Sequence, residues 1–91
     1  MKTTAAKTIK DLFIAMERIE IIADAAEEAY EKKPKDIERE NAFDLACKAQ
    51  FEVTEKLVSE LCKLGYNAKT WRKVLATKRD FIRDLCNRLA A

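Results

Sequence analysis

Glu31-Lys32-Lys33-Pro34-Lys35-Asp36-Ile37-Glu38 holds the only proline of the chain, and Leu61-Cys62-Lys63-Leu64-Gly65-Tyr66-Asn67 holds the only glycine. Elsewhere Ala, Leu, Ile, Glu, Lys and Arg dominate, which are helix formers. A proline ring clashes with the preceding helical turn, so Pro34 ends a first helix. Glycine enters the left-handed region at no steric cost, so Gly65 ends a second. Two stops in 91 residues leave three helical segments, expected over residues 8–33, 36–64 and 68–89. The fold class is all-α, an elongated up-down-up three-helix bundle in one domain, residues 1–91, open to dimerisation.

The local signals around both stops agree. Asp36 caps the second helix, with Glu38 and Glu40 in its first turn, where negative charge meets the positive helix end. Leu64-Gly65-Tyr66 fits a Schellman ending, in which Tyr66 folds back on Leu61, and Asn67 caps the third helix. The first helix starts at Thr8, with Asp11 three residues on, or earlier at Thr3 or Thr4.

The apolar residues recur at the helical period. Ile9, Leu12, Ala15, Met16, Ile19, Ile22, Ala23, Ala26, Ala29 and Tyr30 share one side of the first helix. Glu17, Glu20, Asp24, Glu27, Glu28 and Glu31 form an acidic stripe opposite. The second helix is apolar over a wider arc, from Ala42 and Phe43 through Phe51 and Leu57 to Leu64, as a helix between two neighbours would be. The third buries Trp71, Val74, Leu75, Phe81, Ile82, Leu85, Cys86 and Leu89. Leu12, Ile19, Ala26, Leu57, Leu61, Trp71, Leu75, Ile82 and Leu85 are therefore expected to be buried together. In an up-down-up bundle the first and third helices run parallel, and their acidic and basic stripes share a groove.

The chain is 48% hydrophobic and 37% charged, with a formal net charge of +2. Residues 1–65 carry 11 Lys/Arg against 14 Asp/Glu, a net of −3, and residues 66–91 carry 7 against 2, a net of +5. The sign reverses at the glycine. The longest apolar run is Leu12 to Met16, far short of the roughly 20 residues that span a bilayer. Neither a secretory segment nor a lipidation signal is visible, and the three cysteines read as free thiols in a reducing compartment, so the expected location is the cytoplasm.

Histidine is absent. That removes the commonest general base and metal ligand and every Ser-His or Cys-His pair. Cys47, Cys62 and Cys86 have no C-x-x-C spacing and fall on apolar faces, as buried structural thiols would. Glu20/Asp24 and Glu27/Glu31 have helical spacing but face away from the apolar side. The expectation is no enzyme, no cofactor and no metal. Lys78 stands out on the apolar face of the third helix, and snorkelling or a carboxylate of the first helix accounts for it.

Two surfaces are candidates for binding. Phe13, Ile14, Ile21 and Ala25 lie off the main apolar stripe of the first helix and form an interface candidate, toward another protein or a second copy of the chain. The segment around Gly65 resembles a helix-turn-helix, with Leu64, Gly65, Tyr66, Trp71 and Val74 at suitable spacings. That resemblance implies nucleic-acid binding through Lys69, Arg72, Lys73, Arg79 and Arg83. Leu61 and Glu60 depart from its pattern. Leu89-Ala90-Ala91 resembles the end of the bacterial tag that directs stalled products to proteolysis. The primary expectation is a small cytoplasmic interaction module that self-associates, of the accessory kind common on bacterial and phage genomes. Nucleic-acid binding is the alternative, and membranes are not expected partners.

Overall fold

The computed structural model describes residues 2–90, with side chains from Lys7 to Leu89. Among them the regular structure is entirely helical: α1 (Lys2–Lys32), α2 (Ile37–Cys62), α3 (Ala68–Thr77) and α4 (Arg79–Ala90). The first helix thus starts ahead of Thr8. The third segment is two short helices, not one long one. The molecule is elongated, at 48 × 23 × 19 Å.

α1 and α2 form a long antiparallel hairpin. Asp36 accepts hydrogen bonds from the backbone N–H groups of Glu38 (3.0 Å) and Arg39 (3.4 Å), as its sequence context anticipates. Arg39 reaches back and donates to the carbonyl of Ala29 at 2.9 Å, satisfying an acceptor in the last turn of α1. Tyr30 and Phe43 stack across the hairpin at 5.8 Å.

At the other end α2 tightens into i→i+3 bonds and stops at Cys62. The N–H of Lys63 meets the carbonyl of Glu60, and that of Gly65 the carbonyl of Cys62. Gly65 has φ of 123° and Tyr66 φ of 63°. Only glycine adopts the first without strain, and a bulky residue in the second is rare. Tyr66 does not fold back on Leu61. Its ring is exposed and meets Trp71 edge-on at 5.9 Å. The indole of Trp71 occupies the inside of the turn and donates from Nε1 to the carbonyl of Gly65 at 2.7 Å.

α3 returns along α2 and stops after one short run. Lys78, at φ −136° and ψ 57°, breaks the helix, and α4 runs back along α1. The pairs Arg79–Glu20 and Arg83–Glu17 fix that direction as antiparallel to α1. The expected parallel third helix is therefore corrected to a short α3–α4 hairpin. Its cause lies in the carbonyls of α3's final turn. Thr77 Oγ bonds back to the carbonyl of Lys73 at 2.7 Å, a contact that bends helices. Arg79 Nε donates to the carbonyl of Leu75 at 3.0 Å, taking an acceptor that a continuous helix would have used. The break lets α3 pack on α2 and α4 pack on α1.

The core lies where the two hairpins meet. Ile9, Phe13 and Met16 of α1 pack with Leu57, Val58 and Leu61 of α2, Trp71 and Leu75 of α3, and Ile82 and Cys86 of α4. Leu12 and Leu85 are half-buried against this cluster, whereas Ile19 and Ala26 are half-buried outside it. Beyond α3 and α4, the α1–α2 hairpin extends as a bare two-helix arm.

Candidate interaction surfaces

Ion pairs organise the inner side of the α3–α4 hairpin. Arg79 forms a two-pronged pair with Glu20 of α1. Arg83 binds Glu17 at 3.0 Å and Asp80 at 2.9 Å, and its guanidinium lies 5.8 Å over the ring of Phe13. Arg72 Nε donates to Glu55 at 3.1 Å. The Glu20 hydrogen bonds raise the pKa of Arg79, and the Arg72 hydrogen bond lowers that of Glu55. A carboxylate lowered in the folded state contributes stability above its unfolded pKa and loses it as pH falls through the folded one.

Of the five cations grouped for nucleic acid, Arg72, Arg79 and Arg83 are thus tied to carboxylates of the same chain. Lys69 and Lys73 are exposed, and among the described residues no ion pair engages them. The acidic partners on α1 are Glu17 and Glu20, while Asp24, Glu27 and Glu31 lie exposed on the arm beyond the reach of α4.

The apolar strip of α1 divides. Phe13 is 3% exposed and belongs to the core, because α4 returns along that side of α1. Ile14 is 37% and Ile21 70% exposed, and Ala25 is exposed as well. The structure adds two exposed neighbours: Ile22 at 60%, which the sequence places on the apolar stripe of the first helix, and Leu45 at 67%, which the apolar arc of the second leaves out. At about 100° per residue, Ile22 and Ala25 point away from Phe13, Glu17 and Glu20, which face α4. By the same count, Ala42 and Ala49 of α2 point away from Glu55, Val58 and Cys62, which lie toward α3, and Leu45 sits at the side, about 80° from Glu55. These residues make the back of the hairpin, opposite α3 and α4. Both signs of charge border it, with Arg18 and Lys32 against Glu28 on α1, and Lys48 and Lys56 against Glu52 on α2.

On the opposite side, Tyr66, Thr70, Trp71, Val74, Lys78 and Phe81 line an open apolar groove of about 210 Å³ between α3 and α4. Lys78 is exposed at its edge, and among the described residues no ion pair engages it, so of the two expected accounts the partnership with an α1 carboxylate gives way, and the residue stands at the helix break.

The thiols differ from one another. Cys86 is buried, Cys62 is intermediate and Cys47 is exposed. Burial raises the pKa of Cys86. Cys47 corrects the expectation of three buried thiols: it lies on the arc of α2 that would face a third helix, but α3 ends short of it. In unfolding-free conditions at pH 8, Cys47 is expected to react with a thiol reagent within the mixing period. Cys86 should react only as the domain opens, because the thiolate is the reactive form. Equal rates for the two would contradict this burial pattern.

Among the described residues, no three of His, Cys, Asp or Glu converge as a metal site, and no helix is long and apolar enough to cross a membrane. Leu89 is half-buried on α4, while the side chain of Ala90 and the whole of Ala91 lie outside the described residues, as do the side chains of Thr3 and Thr4. No protein-family model, curated protein or solved structure matches this chain.

Proposed function

We propose that this protein is a non-catalytic helical interaction module that associates with a second copy of itself through the back of the α1–α2 hairpin. One observation carries the reading. Ile21, Ile22 and Leu45 are at least 60% exposed on well-formed helices that the rest of the chain leaves uncovered. A two-helix layer has only one side to give to its own core, and here α3 and α4 take that side. Pairing two such hairpins back to back builds a four-helix layer, in which Ala25, Ala42 and Ala49 allow close helix approach.

The border of the patch supports a second copy over a foreign partner. Both signs of charge border the patch on both helices, so an offset in register between two copies sets unlike charges against each other. Such rim pairs contribute about 0–1 kcal/mol each and mainly fix register. The affinity comes from the desolvated centre.

The nucleic-acid alternative rests on Lys69 and Lys73, since the three arginines it would use hold the α3–α4 hairpin to α1 and α2.

Sedimentation over a concentration series tests the proposal. The wild type should form a dimer at tens of micromolar. Ile22→Lys combined with Leu45→Lys should sediment as a monomer with unchanged helical circular dichroism, since both side chains are exposed in the single chain. A wild type that stays monomeric at hundreds of micromolar would reject it.

A further inference from the structure

The face of the hairpin that carries α3 and α4 continues past them along the arm, and there it is uncovered. On α1, Glu17, Glu20, Asp24, Glu27 and Glu31 fall within about 80° of one another, on the side that faces α4. Arg83 and Arg79 engage the first two. The other three are exposed, and among the described residues no ion pair engages them. On α2, Ile37, Glu40 and Asp44 precede Glu55, Val58 and Cys62 by about five turns, and so stand at the same angles, on the side that α3 covers farther along. Cys47 and Phe51 fall between those directions. Ile37 is 70% and Phe51 67% exposed, and Glu40, Asp44 and Cys47 are exposed as well.

The charge of this front face is strongly negative. Asp24, Glu27, Glu31, Glu40 and Asp44 stand against one cation of the two helices, Lys48 at the outer edge, while Lys33 and Lys35 sit in the turn at the tip. Arg39 is drawn to the Ala29 carbonyl and Asp36, and Lys32 to Glu28. Residues 21–52 carry 9 Asp/Glu against 5 Lys/Arg, a net of −4. At the base of the arm lies a notch of about 160 Å³, lined by Met16, Gln50, Thr54, Leu75 and Ala76 beside the Arg79–Glu20 pair.

The chain itself shows what complements this face. Where the face is covered, amphipathic helices lay Trp71, Leu75 and Ile82 over its centre. They set Arg79 and Arg83, four residues apart, on Glu20 and Glu17 of the acidic row. The uncovered length repeats the carboxylates and the apolar side chains without the arginines. A second copy placed here about a two-fold axis brings carboxylates against carboxylates, so this is not the face of self-association. Nucleic acid and anionic membranes are repelled for the same reason.

We propose that the front of the arm docks a cationic amphipathic helix of another protein. About three turns of helix match the free length of α1 beyond Glu20, roughly 18 Å. The apolar side of that helix covers Phe51, Cys47 and Ile37, with anchors at helical spacing. Its lysines or arginines, four residues apart, meet Asp24, Glu27 and Glu31 on one flank and Glu40 and Asp44 on the other. The acidic rows exclude acidic partners and accelerate encounter with basic ones. This site is independent of self-association through the back of the hairpin, and either stands without the other.

The test titrates the 91-residue chain into a dye-labelled helical peptide with leucines on one face and lysines at four-residue spacing beside them, followed by anisotropy. Saturable binding is expected. Bound peptide should slow the labelling of Cys47 by a thiol reagent at least about fivefold, since access governs that reaction. Glu27→Lys with Asp44→Lys should weaken binding at least about tenfold, and Phe51→Ala at least about threefold. All three side chains are exposed, and circular dichroism checks that the variants stay folded. Ile22→Ser with Leu45→Ser removes apolar surface without adding charge, and should leave binding within about twofold of the wild type. No binding up to millimolar peptide overturns the proposal. Equal binding after glutamates replace the lysines also overturns it. So does equal binding after serines replace the leucines, which would be charge pairing alone. Unchanged labelling of Cys47 at saturation would place the peptide elsewhere and overturn it too.

Discussion

Ile82→Ala is expected to destabilise the domain by about 2–4 kcal/mol, read as a lower urea midpoint with an unchanged slope. Ile82 is fully buried in the cluster that joins both hairpins, and its removal leaves a cavity between α4 and α1. A chain of 91 residues has a total stability of about 5–14 kcal/mol, so this one side chain carries a large share. Without its grip, α4 no longer covers Ile9, Phe13 and Met16. Phe51→Ala makes the contrast: that ring is 67% exposed on the arm, and its truncation should change stability by less than about 0.5 kcal/mol. Equal losses for the two substitutions would mean that the core is not where the hairpins cross.

The features legible in the sequence are those set by local chemistry. Asp36 and Asn67 cap the helices they precede, and Gly65 takes the positive φ that its position demands. Each follows from a side chain and the few backbone groups within its reach. The break at Lys78 does not. Trp71, Leu75, Ile82 and Leu85 keep one helical period across it, so periodicity reads a single helix. The one signal was a lysine in that apolar series, read as snorkelling or as paired with a carboxylate of the first helix, and it also marks the break. From that break follow the other differences. A short α3 leaves Cys47 exposed, and an α4 antiparallel to α1 buries Phe13 and engages Glu17 and Glu20. The breadth of the apolar arc on α2 correctly implies two neighbours, but α3 lies only against its C-terminal half. Which part of an amphipathic face stays bare depends on how far its partner extends, and that is a tertiary quantity. Ile22 reads as a core residue in the sequence for the same reason.

Arg79→Ala should cost about 1.5–3 kcal/mol, the range for hydrogen bonds to charged groups, and Arg79→Lys should recover little of it. Arg79 joins three elements: its guanidinium grips Glu20 of α1, its Nε holds the Leu75 carbonyl at the end of α3, and its backbone starts α4. An ammonium keeps the charge but cannot supply two parallel N–H groups to the carboxylate and a third to the carbonyl. The pair is partly shielded, with the Glu20 side chain only 21% exposed, so removing the arginine strands a half-desolvated carboxylate. Glu20→Gln alone should therefore cost less than Arg79→Ala, because a neutral amide tolerates the same surroundings. In a double-substitution cycle the two effects should fall short of additivity by about 0.5 kcal/mol or more, as contacting residues do. Strict additivity, or full rescue by lysine, would show that the α3–α4 hairpin is held by its apolar contacts alone. The bidentate geometry at Glu20 and the bond to Leu75 argue for the first outcome, since together they stabilise the break that a continuous helix would otherwise close.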